Sequence, residues 1–487
     1  MKKSKDVEKK YLVEPFNKII SKKGFATNKR KMYIIRGTTG LGKTFVTFDK
    51  FIPTLFGKHN LDLIIYSYPK TEVFDITQAR RSTTKSVLKS RNYVCLATSV
   101  KEARTLIREG FKVLLCLTHQ AICVSHNGKK FMRDLEGMGL KTGYFVDESH
   151  SWMISHIDNY RNVMGSNTPK YEGGLFKMLC KLSERTPYIF GLTATPNKEQ
   201  INKVPVIGSM RFELINNYPK LEETISRTGW IGSFTNYDLE GLDVEDVYTL
   251  FYDAVELHLE KTYEYGKRTM MIKTERANGS LGFTMDNIQL ALKYWAKDGN
   301  SEYLGNSEHN SDVIAVLTHN FKGFVNFVPW GFGTKIEYTT RTEDEIKEAL
   351  SNPEHNCQIL LVVEKGDMGM NIHNLKTIFS FRKTDKEMST LYDKEPITEN
   401  AIQIVGRAMR INTGMSNKKF TDKWDYDLTN YVKSLKTEDE VEALLELNSL
   451  DLYVPDNEMW NASIEAIRED LCPSKEMANA WIKQIRN

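Results

Sequence analysis

Gly37-Thr38-Thr39-Gly40-Leu41-Gly42-Lys43-Thr44, following the apolar run Met32-Tyr33-Ile34-Ile35, is the stretch on which the fold turns. It fits the pattern G-x-x-x-x-G-K-[ST] at every fixed position. The apolar run reads as a strand and Thr44–Phe51 as a helix, so the loop stands between the elements it requires. The glycines let the backbone N–H groups of Gly37, Thr38, Thr39, Gly40, Leu41 and Gly42 converge on phosphate oxygens, and the helix N-terminus adds positive potential. Lys43 is placed to bridge the terminal phosphates of a nucleotide, and the Thr44 hydroxyl to hold Mg²⁺. A glycine-rich turn of accidental likeness is the alternative, and the rest of the chain weighs against it.

A phosphate loop needs a carboxylate that organises Mg²⁺ and the attacking water. Tyr144-Phe145-Val146-Asp147-Glu148-Ser149-His150 supplies one: an apolar strand delivers two adjacent acids about a hundred residues after the loop. Asp147 is the candidate metal ligand, with Thr44, and Glu148 the candidate general base. Further strands are expected at Leu63–Tyr66, Tyr93–Ala97, Val113–Leu117, Gly143–Val146 and Tyr188–Leu192, alternating with helical stretches. That alternation predicts a parallel sheet covered on both faces, with ligands at the carboxyl ends of the strands. After a polar stretch beyond Pro196 a second alternation begins. It comprises strand Thr269–Ile272, a helix near Met285–Ala296, strand Asp312–Leu317, a helix near Glu343–Leu350 and strand Gln358–Val363. Beyond about Met415 the pattern is helical, with a capping box at Thr437-x-x-Glu440.

The 487 residues suffice for two or three domains, and no apolar run is long enough to span a bilayer. The N-terminus lacks the apolar core of a secretion signal, so a cytoplasmic location is expected. Six scattered cysteines without a C-x-x-C pair read as buried thiols. The net charge of +4 does not announce a nucleic-acid binder, but it is uneven. Residues 1–31 carry eleven Lys/Arg against three acids, and residues 436–487 five against twelve. The first segment suits phosphate contact or a solvated terminus equally; the acidic tail is a candidate docking surface for a protein partner.

Asp147-Glu148-Ser149-His150 resembles the D-E-x-H box of superfamily 2 helicases and translocases, and further motifs stand in that family's order. Tyr68-Pro69-Lys70-Thr71-Glu72 looks like motif Ia and Leu117-Thr118-His119-Gln120-Ala121 like motif Ic. Leu192-Thr193-Ala194-Thr195-Pro196 matches the T-A-T-P form of motif III. Val362–Ile372 sits where motif V belongs, and Gln403-Ile404-Val405-Gly406-Arg407-Ala408-Met409-Arg410 fits the Q-x-x-G-R-x-x-R form of motif VI. The resemblance spans about Met32 to Ile411. It implies an α/β chain of two tandem RecA-like parallel-sheet domains, facing each other with ATP between them, and a small helical C-terminal appendage. The corresponding boundaries are a basic arm over 1–30, a first domain over 31–200 and a linker over 201–225. A second domain follows over 226–414 and a helical region over 415–487.

By the same resemblance His150 and Gln403 connect water, phosphate and domain interface. Arg407 or Arg410 acts as an arginine finger. If motif VI is helical, Gln403, Arg407 and Arg410 share one face. Gly369 and Asn371 are placed at the nucleotide, with Gly369 also close to nucleic acid. Pro69, Lys70, Thr118 and His119 are assigned to the nucleic-acid backbone, and Thr193 and Thr195 to coupling ATP state to domain closure. Several positions depart from the family pattern. Residues 1–31 contain no Gln for adenine recognition, which leaves Phe16 or Phe25 as stacking candidates. Asn371 stands where motif V usually has an acid, and Met368 where relatives often carry Arg or Thr. The overall shape is closest to restriction-enzyme motor subunits and phage-type DNA helicases.

Two features outside the motifs also bear on substrate. Phe324, Phe327 and Trp330 within 321–335 suit either a strand-separating wedge or, preferably, a hairpin that buries its aromatics. Arg80-Arg81-Ser82-Thr83-Thr84-Lys85 suits a substrate channel or, preferably, a solvated basic face. The sequence thus predicts an ATP- and Mg²⁺-dependent helicase or translocase, with DNA favoured over RNA and no membrane partner. An RNA helicase, or an ATP-switched clamp in a larger assembly, is the alternative.

Overall fold

The computed structural model describes residues 4–486, apart from 38–40, 70–73, 150–174, 195–209, 240, 242, 276–280, 298–311, 319, 331–332, 364–371, 373, 383–398 and 412–427. The chain divides into two compact lobes, one built chiefly of Lys5–Pro219 and the other of Lys220–Glu387 with Glu395–Asn487.

The first lobe is a seven-stranded sheet. Its strands are β1 (Lys31–Arg36), β2 (Leu63–Tyr68), β3 (Val94–Ala97), β4 (Lys112–Thr118), β5 (Thr142–Val146), β6 (Ile189–Thr193) and β7 (Arg211–Leu214). They lie in the order β3-β4-β2-β5-β6-β1-β7, and every pair is parallel. Apolar residues at consecutive positions satisfy both faces at once, as a covered parallel sheet demands. Tyr33, Ile35, Tyr66, Phe145 and Phe190 join one apolar cluster, while Met32, Ile34, Ile65, Tyr144 and Val146 join the other. β6 inserts between β1 and β5, so the carboxyl ends of these three strands lie side by side.

The first cluster corrects the reading of residues 1–30 as a basic arm. Helical turns over Ser4–Glu8, Lys9–Val13 and Glu14–Ile20 dock on the sheet and bury Val7, Leu12, Phe16, Ile19 and Ile20. The Val7-to-Leu12 spacing of five is accommodated by a π turn over Lys9–Val13, which keeps both residues on the buried face. Lys9 and Lys18 are exposed. Likewise Arg211–Leu214, expected within a linker, is a strand paired with β1.

The second lobe is an eight-stranded mixed sheet. Its strands are β8 (Trp230–Tyr237), β9 (Thr269–Lys273), β10 (Ile314–Leu317), β11 (Lys322–Trp330), β12 (Gly333–Thr340), β13 (Ile359–Val362), β14 (Leu375–Ser380) and β15 (Ser449–Pro455). They run in the order β12-β11-β10-β13-β9-β14-β15-β8; only β10–β11 and β11–β12 are antiparallel. The β11–β12 hairpin buries Phe324 and Phe327, which favours the packed reading over the wedge. The Trp330 side chain lies outside the described residues. Arg80, Arg81 and Lys85 are exposed on the helix Ile76–Ser90 of the first lobe, and Lys85 pairs with Asp49.

The C-terminal region also departs from expectation. Helices Thr429–Ser434, Glu438–Leu447, Glu458–Asp470 and Lys475–Arg486 are present, and Thr437 and Glu440 form their capping box. These helices do not form an appendage, because the fully buried β15 between them completes the sheet between β14 and β8. Among the described residues no helix is long and apolar enough to cross a membrane.

A buried histidine makes the second lobe acid-sensitive. His258, on the helix Val244–Tyr265, is 1% exposed, and its Nδ1 lies 2.9 Å from Thr377 Oγ1 on β14. Burial, then the charge of Arg268, holds its pKa well below the usual imidazole value. The folded imidazole stays neutral, whereas the unfolded chain takes up a proton below about pH 6.5, so this contribution is intact above that pH and lost below it. The penalty grows by up to about 1.4 kcal/mol per pH unit. The urea midpoint of native protein is expected to fall more steeply between pH 6.5 and 5 than that of His258→Gln. Equal slopes would remove His258 as the cause.

Candidate nucleotide site

The phosphate loop leaves β1 at the carboxyl edge of the sheet. Gly42 adopts φ +83°, a left-handed conformation glycine takes readily, and the helix begins at once with Lys43–Val46. Lys43 Nζ donates to Gly37 O at 2.7 Å, folding the lysine back over its own loop. Gly37 N donates to Thr193 O at 3.1 Å, so the end of β6 is tied to the start of the loop. Thr38, Thr39 and Gly40 lie outside the described residues. Leu41 is buried in the first lobe's core.

The acid pair stands two strands away on a strained turn. Asp147 is buried, and Glu148 has φ +46°, which is uncommon for a residue with a side chain. Three contacts hold the turn: Asp147 N donates to Ser67 O at 2.8 Å, Glu148 N to Asp147 Oδ1 at 3.1 Å, and His119 Nε2 bonds Asp147 O at 2.9 Å. A carbonyl only accepts, so His119 carries its proton on Nε2 and leaves Nδ1 to accept from Ser67 Oγ, 3.0 Å away. Gly191 of β6 passes close by. A Cβ there would meet Ser149 Oγ at 2.7 Å and Met32 Cε at 2.6 Å, so only glycine admits this approach.

Tyr66, which the motifs did not reveal, joins the two halves of the site. Its fully buried phenol donates to Asp147 Oδ2 at 2.5 Å and lies beside the Thr44 side chain. Burial, then the Asp147 charge, raises the phenol pKa well above its usual value, so it stays a donor. Burial, then the Glu148 charge, also raises Asp147, against the opposing effects of Tyr66 and Lys43. Thr44 and Asp147 are therefore both neighbours of one phenol group. Two hard oxygen ligands brought to one point, beside a lysine and a loop of backbone amides, fit a Mg²⁺-nucleotide. No sequence pattern flags Tyr66, because its role depends on β2 lying next to β5.

Other assignments fare differently. His119 is fully buried and bonded through both ring nitrogens, so it supports the acid turn and does not face a nucleic-acid strand. Thr118 caps the following short helix by accepting from Ala121 N at 3.1 Å, and remains half-buried at the end of β4. Pro69 is half-buried just past β2. Phe16 stacks on Phe51 at 4.0 Å and Phe25 packs against Tyr33 and Tyr188, so both serve the core and neither is available to an adenine. Lys70, His150, Thr195, Gly369 and Asn371 lie outside the described residues.

In the second lobe the motif VI helix covers Glu399–Ala408 and carries a buried Arg407; the Gln403 side chain lies outside the described residues. Arg410 falls beyond the helix, in an antiparallel bridge to Thr228, so it does not continue the face of Arg407. The cause is local. Gly229 N donates to Met409 O at 2.5 Å, and the buried Lys376 Nζ on β14 donates to Ala408 O at 2.9 Å and also to Arg410 O. Burial, then the charge of Arg268, holds the Lys376 amine well below the usual lysine value, and its two bonds lie on either side of the helix end at Ala408. If Arg407 serves turnover, Lys376→Met is expected to lower kcat tenfold or more with ATP affinity retained. Lys376→Arg should recover part of the rate. Unchanged kcat in the Met variant would make Lys376 a purely structural anchor.

Residues 5–198 match the family described as the type III restriction enzyme, res subunit. That match lies within the first lobe and covers less than half of the chain. No curated protein matches the sequence. Similar solved structures include the ATP-dependent Type ISP restriction-modification enzyme LlaBIII bound to DNA, at 12% identity and TM-score 0.48, covering 100% of this chain and 33% of that one. The Mycobacterium smegmatis helicase Lhr bound to ssDNA and AMP-PNP has 11% identity and TM-score 0.46, covering 94% and 48%. The DUF1998 helicase MrfA bound to DNA has 12% identity and TM-score 0.45, covering 91% and 45%. The chain thus spans between a third and a half of the length of these structures.

Proposed function

We propose that the protein is an ATP-hydrolysing nucleic-acid motor of superfamily 2 that translocates along or unwinds DNA. The observation that carries this reading is the buried Tyr66 phenol, which donates to Asp147 of the acid turn and lies beside Thr44 of the phosphate loop. Lys43 binds the terminal phosphates, and Glu148 takes the proton of the hydrolytic water. Thr44 and Asp147 hold Mg²⁺, which when bound neutralises phosphate charge. His150, Gln403 and Arg407 serve turnover, with Arg410 placed beyond the helix. Thr193 and Thr195 couple nucleotide state to movement, an assignment supported by the bond from Gly37 N to Thr193 O. Gly369 and Asn371 belong to the nucleotide set, and Pro69, Lys70 and Thr118 to the nucleic-acid path. Hydroxyls and backbone amides suit that path because they read phosphates and not bases.

The test is steady-state ATPase activity of the full chain alone and with single-stranded DNA, forked duplex DNA or RNA. Stimulation by DNA is the expected result. Stimulation by RNA alone would overturn the substrate assignment and leave the hydrolytic site standing. Absence of turnover under all conditions would overturn the motor reading.

A further inference from the structure

A cavity lies in the first lobe at the amino ends of β5 and β6, away from the phosphate loop. Its volume is about 470 Å³, within the size range of small-ligand sites. Thr142 lines it at one end of β5, and Asp147 follows the other end. The two sites are therefore separated by the length of a strand, about 16 Å at 3.3 Å per residue.

The floor is apolar, formed by Met132, Leu135, Leu140, Met178, Leu182 and Tyr188. Its rim is cationic and comes from two helices. Lys129 and Arg133 stand four residues apart on the helix His126–Asp134, and Lys177 and Lys181 four apart on Leu175–Ser183. Each pair occupies neighbouring positions on one helix face, so two basic stripes line one hollow. Arg185, Lys141 and His126 extend the rim. Glu136 is the acid among the lining residues, and it pairs with Arg185 at 3.0 Å. Lys141 is occupied with His59 O at 2.7 Å. Lys129, Arg133, Lys177 and Lys181 have no acid partner among the described residues.

Four cations without an acid partner among the described residues line one hollow and repel one another, and an apolar floor does nothing to relieve them. An anionic ligand with an apolar body does. The cationic rim fits phosphate oxygens, Arg133 presents a fork suited to them, and the apolar floor with two adaptable methionines fits the flat ring of a base. We propose that this cavity binds a nucleotide unit through its phosphate and base, as a free nucleotide or as the 5′-phosphorylated end of a strand. This binding is independent of hydrolysis at the phosphate loop.

The experiment uses the full chain carrying Lys43→Ala, which disables the phosphate loop, with two probes: AMP by calorimetry, and a 3′-labelled dT10 with or without a 5′-phosphate by anisotropy. Two variants are added to that background. Lys129→Glu/Lys181→Glu reverses charge on both helices at exposed positions, and Met178→Trp fills the hollow without changing charge. The expected result is binding of AMP, or of the phosphorylated strand in preference to its 5′-hydroxyl form. Both variants should weaken it tenfold or more. AMP binding would identify a free nucleotide, and 5′-phosphate preference without AMP binding a strand end. Absence of both, or binding insensitive to Met178→Trp, would overturn the proposal. DNA-stimulated ATPase of Lys129→Glu/Lys181→Glu, with Lys43 intact, separates this outcome from failure of the motor reading.

Discussion

Glu148→Gln is expected to bind ATP with affinity within about threefold of the native chain and to turn it over at least a hundredfold more slowly, the usual range for losing a general base. The substitution keeps shape and removes the carboxylate's charge and with it the ability to accept a proton. The φ of +46° is imposed by bonds through the neighbouring Asp147, from Ser67 O, His119 Nε2 and the Glu148 amide itself. Asp147, Thr44 and Lys43 keep their side chains, so the proposed phosphate and metal ligands remain. The check is kcat beside a direct nucleotide titration. Near-native turnover would transfer the general-base role to another residue, and loss of binding together with rate would show that Glu148 shapes the loop.

Arg268→Met is expected to cost the second lobe about 3–5 kcal/mol, the range for breaking a buried ion pair by removing one partner. Arg268 is 0% exposed, and its guanidinium donates to Asp451 Oδ2 at 2.6 Å, to Ser449 O at 2.9 Å and to Glu446 O. It thus joins the residue before β9 to the start of β15 and to the end of the helix Glu438–Leu447. Methionine fills part of the volume but leaves Asp451 with only Lys261 and Ser233. Urea unfolding measures the loss. Arg268→Met/Asp451→Asn, which also removes the stranded charge, should recover part of it. A single variant within about 1 kcal/mol of native would show that Lys261 alone neutralises Asp451.

Local signals in the sequence were informative where one segment carries its own instructions. The Met32–Ile35 strand runs into a loop with Gly42 before Lys43, and the structure has β1, that loop and a helix from Lys43. Thr437 and Glu440 form the reciprocal cap their spacing predicts. Signals that depend on distant pairing were not legible. Nothing local to Thr193 says that β6 inserts between β1 and β5, and without that order Tyr66 is only another core aromatic. The N-terminal lysines masked an amphipathic helix because a π turn breaks the regular spacing of Val7, Leu12 and Phe16. Ser449–Pro455 was hidden by helices on both sides, although Leu450, Leu452 and Val454 alternate as a strand's residues do. His119 was misassigned for a related reason: a motif fixes residue type, whereas the packing of β2 against β5 decides which way the ring points.

The position of β15 has a consequence for how the chain is made. β8 pairs with β15 through Trp230–Ser449 and its neighbours, more than two hundred residues apart in the sequence. During synthesis β8 leaves the ribosome long before its partner exists, a wait of roughly 10–40 s at ordinary elongation rates. The first lobe, whose strands all precede Ile215, can close during that interval. The second stays open with β8 and the outer edge of β14 unpaired, offering backbone groups to any other strand. Premature termination before Ser449 would therefore yield a chain with a finished first lobe and an aggregation-prone second one.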